Sequence, residues 1–394
     1  MEKVSEEIRA YIRLHREENV RSLALKRGPF SAETHQFIVR QIAGWQIARE
    51  KIPSWSEVED LLYPVHLSLE QCSSELTARF KAELINGGGT FSDLTGGMGV
   101  DFSFISQKFK ESVYVERNQE LCELAEINFQ TLRLSGCKVL NDTFESFLPE
   151  MSLVDVIYLD PARRDDAGRK MVSISDCSPN LAEWKHLLLE KADDVWVKYS
   201  PMLDISLAVS ELEFVSDLYV ISVQNECKEL LFHLKKGGST NPQIMCVDLR
   251  KNGRKRLFQF DRESESNSSL QLAVDVGRYL YEPNASVLKA GAFRIITERY
   301  PVKKLSVNSH LYTSDEEIED FPGRKFVVEK SFAMGKKELK EHLSDCPKAN
   351  ISVRNFPMSV EQLRKKLKLA EGGEVYLFAT TIAEKKILLK CARI

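Results

Sequence analysis

The sequence predicts an α/β fold in which an open, mostly parallel sheet is covered by helices on both faces, with an N-terminal helical region and small C-terminal α/β domains. Three observations predict it. From about residue 85 to 236, short apolar runs alternate with helix-period segments, the pattern of strand, crossover helix and parallel strand. A glycine-rich turn, Thr95-Gly96-Gly97-Met98-Gly99, separates the first run from the first helix of that series. Polar residues close the runs at Asp93, Glu116, Asp142, Asp160 and Lys198, and ligands of such sheets bind beyond the carboxyl ends of the strands.

Taken in order, residues 1–83 read as an N-terminal helical region. Residues 4–14 and 34–48 carry apolar groups at helical spacing, and Ser31 is placed to cap the second helix with Glu33 in its first turn. Residues 67–84, LSLEQCSSELTARFKAEL, read as one further helix. Its polar side, including Ser74 and Glu75, is either an ordinary solvated face or a cover over the cofactor or the substrate entrance. The sheet domain, 84–236, opens with a strand ending at Asp93. The glycine turn follows, then a helix over 102–109, a short strand over 113–115 closed by Glu116, and a helix over 119–134. A strand near Val139 ends at Asn141-Asp142-Thr143, where Thr143 is also a helix-cap residue. The run 153–159 stops at Asp160-Pro161-Ala162-Arg163-Arg164, and the strand 195–198 leads into Tyr199-Ser200-Pro201. Beyond Gly237-Gly238, the stretch 237–322 is an accessory α/β region. It begins with two strands joined at Asn252-Gly253, a good hairpin signal, and contains a polar run over 262–269 that is expected to be mobile. Residues 323–394 alternate strand, helix, strand, helix, strand, strand, which makes a small split α/β domain.

Composition narrows the function. A chain of 394 residues with 43% apolar content supports at least two cored domains. The net charge of −3 gives no whole-chain signal for nucleic acid. Locally the balance differs: residues 331–394 hold 13 Lys plus Arg against 7 Asp plus Glu, a basic face of the kind that attracts phosphate backbones. No signal-peptide core and no apolar run of about 18 to 20 residues is present, so a cytoplasmic protein without a membrane partner is expected. The eight cysteines contain no Cys-x-x-Cys pair. Neither a disulfide framework nor a metal site is therefore expected, and nothing in the pattern sets an oligomeric state.

A glycine turn alone serves several cofactors. A hydride-transfer fold would carry Gly-x-Gly-x-x-Gly, but the position three beyond Gly99 is Phe102, and no Gly-Lys-Ser/Thr follows for a triphosphate. Asp93-x-Thr95-x-Gly97-x-Gly99, then Glu116, then Asp142 instead resembles class I S-adenosylmethionine-dependent methyltransferases with a Rossmann-like sheet. The resemblance implies that Gly97 and Gly99 line the methionine end of the cofactor. It further implies that Asp93 and Thr95 organise the turn at the ammonium, that Glu116 holds the ribose hydroxyls, and that Asp142 or Thr143 lies near adenine. Asp160-Pro161-Ala162-Arg163 resembles the Asp/Asn-Pro-Pro-aromatic turn of amino-directed nucleic-acid methyltransferases, with Ala162 for the second proline and Arg163 for the aromatic residue. Methyl transfer needs alignment of a lone pair and negative charge where positive charge develops, which an aspartate hydrogen-bonded to an exocyclic amine supplies. A C5-directed reaction needs a cysteine nucleophile, and Cys177 reads as a structural thiol instead. Arg164, Lys198 and Ser200 are candidate substrate-wall residues.

The stretches EQCSSELTARFKAEL, DLTGGMGVDFSF, YVERN, IYLDPARRD, VKYSPMLDI and NECKELL together resemble one bacterial methyltransferase family. Its members join this catalytic domain to a ferredoxin-like segment, here around YEPNASVLKAGAF, and to a C-terminal THUMP-like domain, here 323–394. THUMP domains of RNA-modifying enzymes help hold structured RNA. The expected function is therefore methylation of an exocyclic amino group of an RNA base, with guanine N2 as one position. A small-molecule or protein methyltransferase, and a non-enzymatic RNA-binding protein that keeps a cofactor pocket, are the alternatives.

Overall fold

The structure is a computed structural model that describes residues 4–26, 28–64, 66–163 and 173–394. It divides into two compact units, Met1–Leu218 with Glu229–Thr240, and Tyr219–Lys228 with Asn241–Ile394.

The first unit begins with helices α1 (Glu6–His15), α2 (Val20–Leu25), α3 (Ala32–Lys51) and α4 (Pro53–Ser56). Ser31 caps α3 as expected, its hydroxyl accepting from the Thr34 amide. Ile38 and Ile42 bury their side chains with Leu23. Further along, Ala48, Ile52 and Trp55 share a core with Met98 and Val100 of the glycine turn, so the helical region packs directly under the loop it precedes in sequence. The expected single helix over 67–84 is two: α5 (His66–Gln71) and α6 (Glu75–Leu84). Ser74 breaks it, because its hydroxyl accepts from the Thr77 amide in an extended backbone conformation and so starts a new helix.

The sheet series is β1 (Gly88–Asp93), α7 (Val100–Ile105), β2 (Phe109–Glu116), α8 (Gln119–Thr131), β3 (Cys137–Asn141), α9 (Phe144–Glu150) and β4 (Val154–Leu159). After the short strands β5 (Ala162–Arg163) and β6 (Cys177–Ser178) come α10 (Leu181–Lys191), β7 (Ala192–Tyr199), α11 (Ile205–Leu212), β8 (Val215–Val223) and β9 (Glu226–Leu234). Within this unit the strand order runs β9-β7-β4-β1-β2-β3. All neighbours are parallel except β9, which runs antiparallel to β7. The helix expected over 102–109 ends earlier, at a 3-10 turn over Ser106–Lys108, and Phe109 already belongs to β2. The opening of β2 exposes Lys110 and Glu111, which hides the strand from an apolar reading. Phe102, standing where a dinucleotide fold would need glycine, is fully buried and stacks on Phe91 and Phe129 with Tyr114 edge-on. Aromatic packing of this kind binds α7 to the sheet.

In the second unit, β10 (Gln243–Leu249) and β11 (Lys255–Phe260) form the expected antiparallel hairpin. Residues 262–269, expected as a polar, mobile run, contain α12 (Arg262–Asn267). Asp261 caps it, and Glu263 and Glu265 occupy its first turn. None of its residues is buried, so no apolar period announces it. There follow β12 (Tyr279–Pro283), α13 (Ala285–Ala290), α14 (Ile295–Arg299), β13 (Lys303–Lys304), β14 (Tyr312–Ser314) and β15 (Gly323–Phe332). The chain closes with α15 (Lys336–Leu343), β16 (Asn350–Val353), α16 (Val360–Leu367), β17 (Val375–Ile382) and β18 (Lys385–Arg393). Strands β12 to β18 make one sheet, β13-β14-β12-β15-β18-β17-β16, in which only the β16–β17 pairing is parallel among the described residues. Leu343 of α15 and Leu363 of α16 pack on Ala349, Leu377 and Leu388 of this layer.

Candidate active site

Parallel strands in register bring their carboxyl ends to one edge, and Asp93, Glu116, Asp160 and Lys198 lie at or just beyond those ends. Asp93 aligns with Tyr114, and Glu116 with Asn141. The loop after β1 is held by main-chain bonds: the Leu94 amide donates to the Tyr158 carbonyl at 3.1 Å, and the Gly96 amide to the Val115 carbonyl at 2.9 Å. Gly96 lies so close over Tyr114 that a Cβ would fall 2.1 Å from the ring. Gly97 has φ +58 and Gly99 φ +78, values that glycine adopts without strain. The Tyr114 hydroxyl donates to the Gly97 carbonyl at 2.5 Å. On the next strand, Glu116 accepts from the Gly97 amide at 2.9 Å and from the Asn118 amide at 2.8 Å, which fixes its carboxylate against the loop. Asp93 is buried and accepts from the Thr95 amide at 3.0 Å. Burial pushes its carboxyl well above the usual range, and the nearby Asp101, Asp160 and Glu116 act in the same direction.

Past β4, the Asp160 amide donates to the Thr95 hydroxyl at 2.6 Å, so the glycine loop and the Asp-Pro turn are one assembly. Ala162, where the resembled turn has a second proline, pairs with Ser178 across β5–β6, and Arg163 pairs with Cys177. That two-residue ladder restrains the turn in the place of a proline ring. Behind Asp160 lies a buried charged cluster. Lys198 Nζ stands 2.5 Å from Asp160 Oδ2 and 3.7 Å from Asp101 Oδ2, and donates to the Ser73 hydroxyl at 3.1 Å. Lys81, with no exposed surface, reaches both oxygens of Glu229 at 2.9 and 3.0 Å, Asp101 Oδ1 at 3.0 Å and Ser73 at 2.9 Å. Asp101 also accepts from the Ser73 and Tyr158 hydroxyls, both at 2.7 Å. Burial alone would raise the Asp101 carboxyl, but Lys81 and Lys198 hold it below the usual range. Burial would likewise lower Lys198, and Asp160, Asp101 and Glu229 hold it above the usual lysine range.

Residues 279–322 match a ferredoxin-like domain model and 323–393 a THUMP domain-like model. A crystal structure of a candidate methyltransferase from Porphyromonas gingivalis W83 superposes with a TM-score of 0.87 at 34% identity, covering 98% of this chain and 97% of that one. This chain belongs to the same family, a class I S-adenosylmethionine-dependent methyltransferase with ferredoxin-like and THUMP-like domains. Part of the methyltransferase is also similar to a candidate methyltransferase of Streptococcus mutans in complex with S-adenosylhomocysteine. That match has TM-score 0.31 and 12% identity, over 41% of this chain and 96% of that one. TrmK of M. capricolum, in complex with the same cofactor product, matches with TM-score 0.32 and 16% identity, over 43% of this chain and 70% of that one. No curated protein matches the methyltransferase.

The loop geometry fits the family's cofactor. A Cβ on Gly97 would meet nothing nearer than the Thr95 carbonyl at 3.8 Å, so open space lies over the one glycine whose amide is already tied to Glu116. Asp142 and Thr143 sit beyond β3, where the Asp142 amide donates to the Glu116 carbonyl at 3.2 Å and Thr143 caps α9. Among the proposed wall residues, Ser74 caps α6, while Glu75 accepts from the Ser54 amide and from Arg79. Ser200 shapes the loop after β7, its hydroxyl accepting from the Met202 amide at 3.3 Å. Lys198 lies beneath Asp160 rather than on an open wall. Arg164 lies outside the described residues. No cluster of metal-ligating side chains occurs among the described residues, and no described helix is long and apolar enough to cross a membrane.

Sequence reasoning missed Lys81, Asp101, Tyr158 and Glu229. One signal was present: α6 buries Thr77 and Lys81 one turn apart, and a lysine on a buried stripe calls for a buried partner. Glu229 stands in the polar NECKELL stretch, whose role only the fold supplies.

Proposed function

We propose that this methyltransferase modifies an exocyclic amino nitrogen of an RNA base, with guanine N2 the first position to examine. The observation that carries the reading is the state of Asp160. Its carboxylate is partly exposed, Lys198 occupies one oxygen, and no other partner of that carboxylate occurs among the described residues. An open carboxylate oxygen accepts an N–H of the acceptor amine, which turns the nitrogen lone pair toward the methyl group and offsets the positive charge that nitrogen gains. When bound, the cofactor supplies that methyl group on an electrophilic sulfonium. Asp93, Thr95, Gly97, Gly99 and Glu116 would hold its methionine and ribose parts, with Asp142 and Thr143 toward the adenine. The extra proton on the methylated nitrogen leaves to Asp160 or to solvent.

Support for RNA comes from the second unit. α15 carries Lys336, Lys337 and Lys340, and α16 carries Arg364, Lys365 and Lys366 with Lys368 at its end, on the THUMP domain-like segment. Transfer of a labelled methyl group to separated RNA, protein and small-molecule fractions tests the proposal. Label is expected in RNA and is expected to disappear in Asp160→Asn, which keeps the side-chain shape and removes its charge. Label confined to protein or to small molecules would overturn the choice of acceptor. Cofactor binding without label in any fraction would favour a non-enzymatic RNA-binding protein.

A further inference from the structure

We infer that Lys198 is a positioning residue for methyl transfer, a role that rests on the reading of Asp160 above. In the buried cluster, two ammonium groups, Lys81 and Lys198, face three carboxylates, Asp101, Glu229 and Asp160. Buried charges persist only when paired and hydrogen-bonded. Glu229 is hydrogen-bonded by Lys81 through both oxygens; Asp101 accepts from Ser73 and Tyr158 on Oδ2, while its buried Oδ1 has the Lys81 ion pair but, among the described residues, no hydrogen bond. The cluster therefore carries one negative charge more than it neutralises. That surplus belongs at its partly exposed end, on Asp160, whose side chain is 38% exposed, whereas those of Asp101 and Glu229 are 8% and 7% exposed. A cationic methyl donor and an amine that becomes positive both gain from a surplus there.

Geometry gives Lys198 its second part. Its ammonium is fixed from behind by the Ser73 hydroxyl and faces Asp101, so it cannot follow Asp160 if that side chain turns. Ser73 also receives Lys81 and donates to Asp101, which ties the ammonium to α6 and α7. Asp160 is thus held at two points, its amide on Thr95 and one carboxylate oxygen on Lys198. The carboxylate plane is set by a point charge that takes one oxygen and leaves the other to the acceptor. An arginine would not do the same, because its planar fork takes both carboxylate oxygens at once.

The test uses the full-length protein with Lys198→Met and Lys198→Arg. Cofactor affinity by titration calorimetry, thermal unfolding, and steady-state transfer to whichever fraction the wild type labels are measured together. Both variants are expected to bind S-adenosylmethionine within about threefold of the wild type while kcat falls, by about 100-fold for Lys198→Met and by at least about tenfold for Lys198→Arg. Should Lys198→Met fail to fold, Lys198→Arg, which keeps the charge, decides. A lysine needed only to balance charge in the fold would leave Lys198→Arg active, and a folded variant transferring within about threefold of the wild type overturns the inference. Loss of cofactor affinity in proportion to rate overturns it as well, since Lys198 would then shape the cofactor pocket. A wild type that labels no fraction removes the catalytic reading of Asp160 and this role with it. A wild type and variants that label equally remove only the role of Lys198.

Discussion

Asp93 stands as a buried carboxyl at the end of β1. Its position at the end of β1, before the glycine turn, is legible in the order of residues. Its burial is not, because that depends on what β2 and β4 place around it. Burial raises its carboxyl well above the usual range, so the folded protein keeps a proton that the unfolded chain releases. With a raised folded value, the group's contribution to stability is complete below the unfolded value of about 3.9 and is lost as pH rises toward the folded one. Asp93→Asn removes this titration. Urea unfolding of the wild type and Asp93→Asn at pH 5 and pH 8 is therefore expected to show the wild type losing stability relative to the variant as pH rises. A difference that moves the other way would contradict the assignment. Phe102 makes the complementary point: its identity excluded a dinucleotide turn from sequence alone, and in the fold it fills the space between Phe91, Tyr114 and Phe129.

Among the elements, those with strong apolar periods were readable and those built on local polar bonds were not. The strands at β4 and β7 and the alternation from β15 to β18 follow from spacing. The break between α5 and α6, the start of β2 and the whole of α12 follow from caps and exposed charges that spacing does not weigh. Ser74 is the clearest case, since its hydroxyl holds the first turn of α6. Replacing an N-cap serine by alanine costs about 0.5 to 2 kcal/mol, and Ser74→Ala is expected to lose that much in denaturant unfolding. If the cap is its whole contribution, KM for the acceptor stays unchanged in Ser74→Ala. A raised acceptor KM at full stability would instead support contact with substrate. The basic helix α16 is built in the same manner, with a reciprocal capping box between Ser359 and Gln362 and its cations gathered in the last turn, where the helix dipole favours them.

At the scale of the molecule, the feature that most constrains the active site joins residues far apart in the chain: Ser73, Lys81, Asp101, Tyr158, Asp160, Lys198 and Glu229. Lys81 is its innermost cation, and removing it leaves buried Glu229 without its paired cation and Asp101 with Lys198 alone, at 3.7 Å. Breaking a buried pair in this way costs about 3 to 5 kcal/mol, and Lys81→Met is expected to lower the denaturant stability of the protein by that order. Lys81→Met with Glu229→Leu, which also removes the carboxylate left without its cation, is expected to recover part of the loss; equal stability of the single and double variants would show that the pair is not coupled. The sequence by itself determined the strand-turn-helix order, the polar residues at strand ends and the kind of cofactor loop, because each depends on neighbours within a few positions and on side-chain periodicity. Only the tertiary structure decided which charges are buried and paired, since Lys81 meets Glu229 148 positions away. A buried charge is stable or costly according to partners that the chain delivers only when the sheet has closed around them.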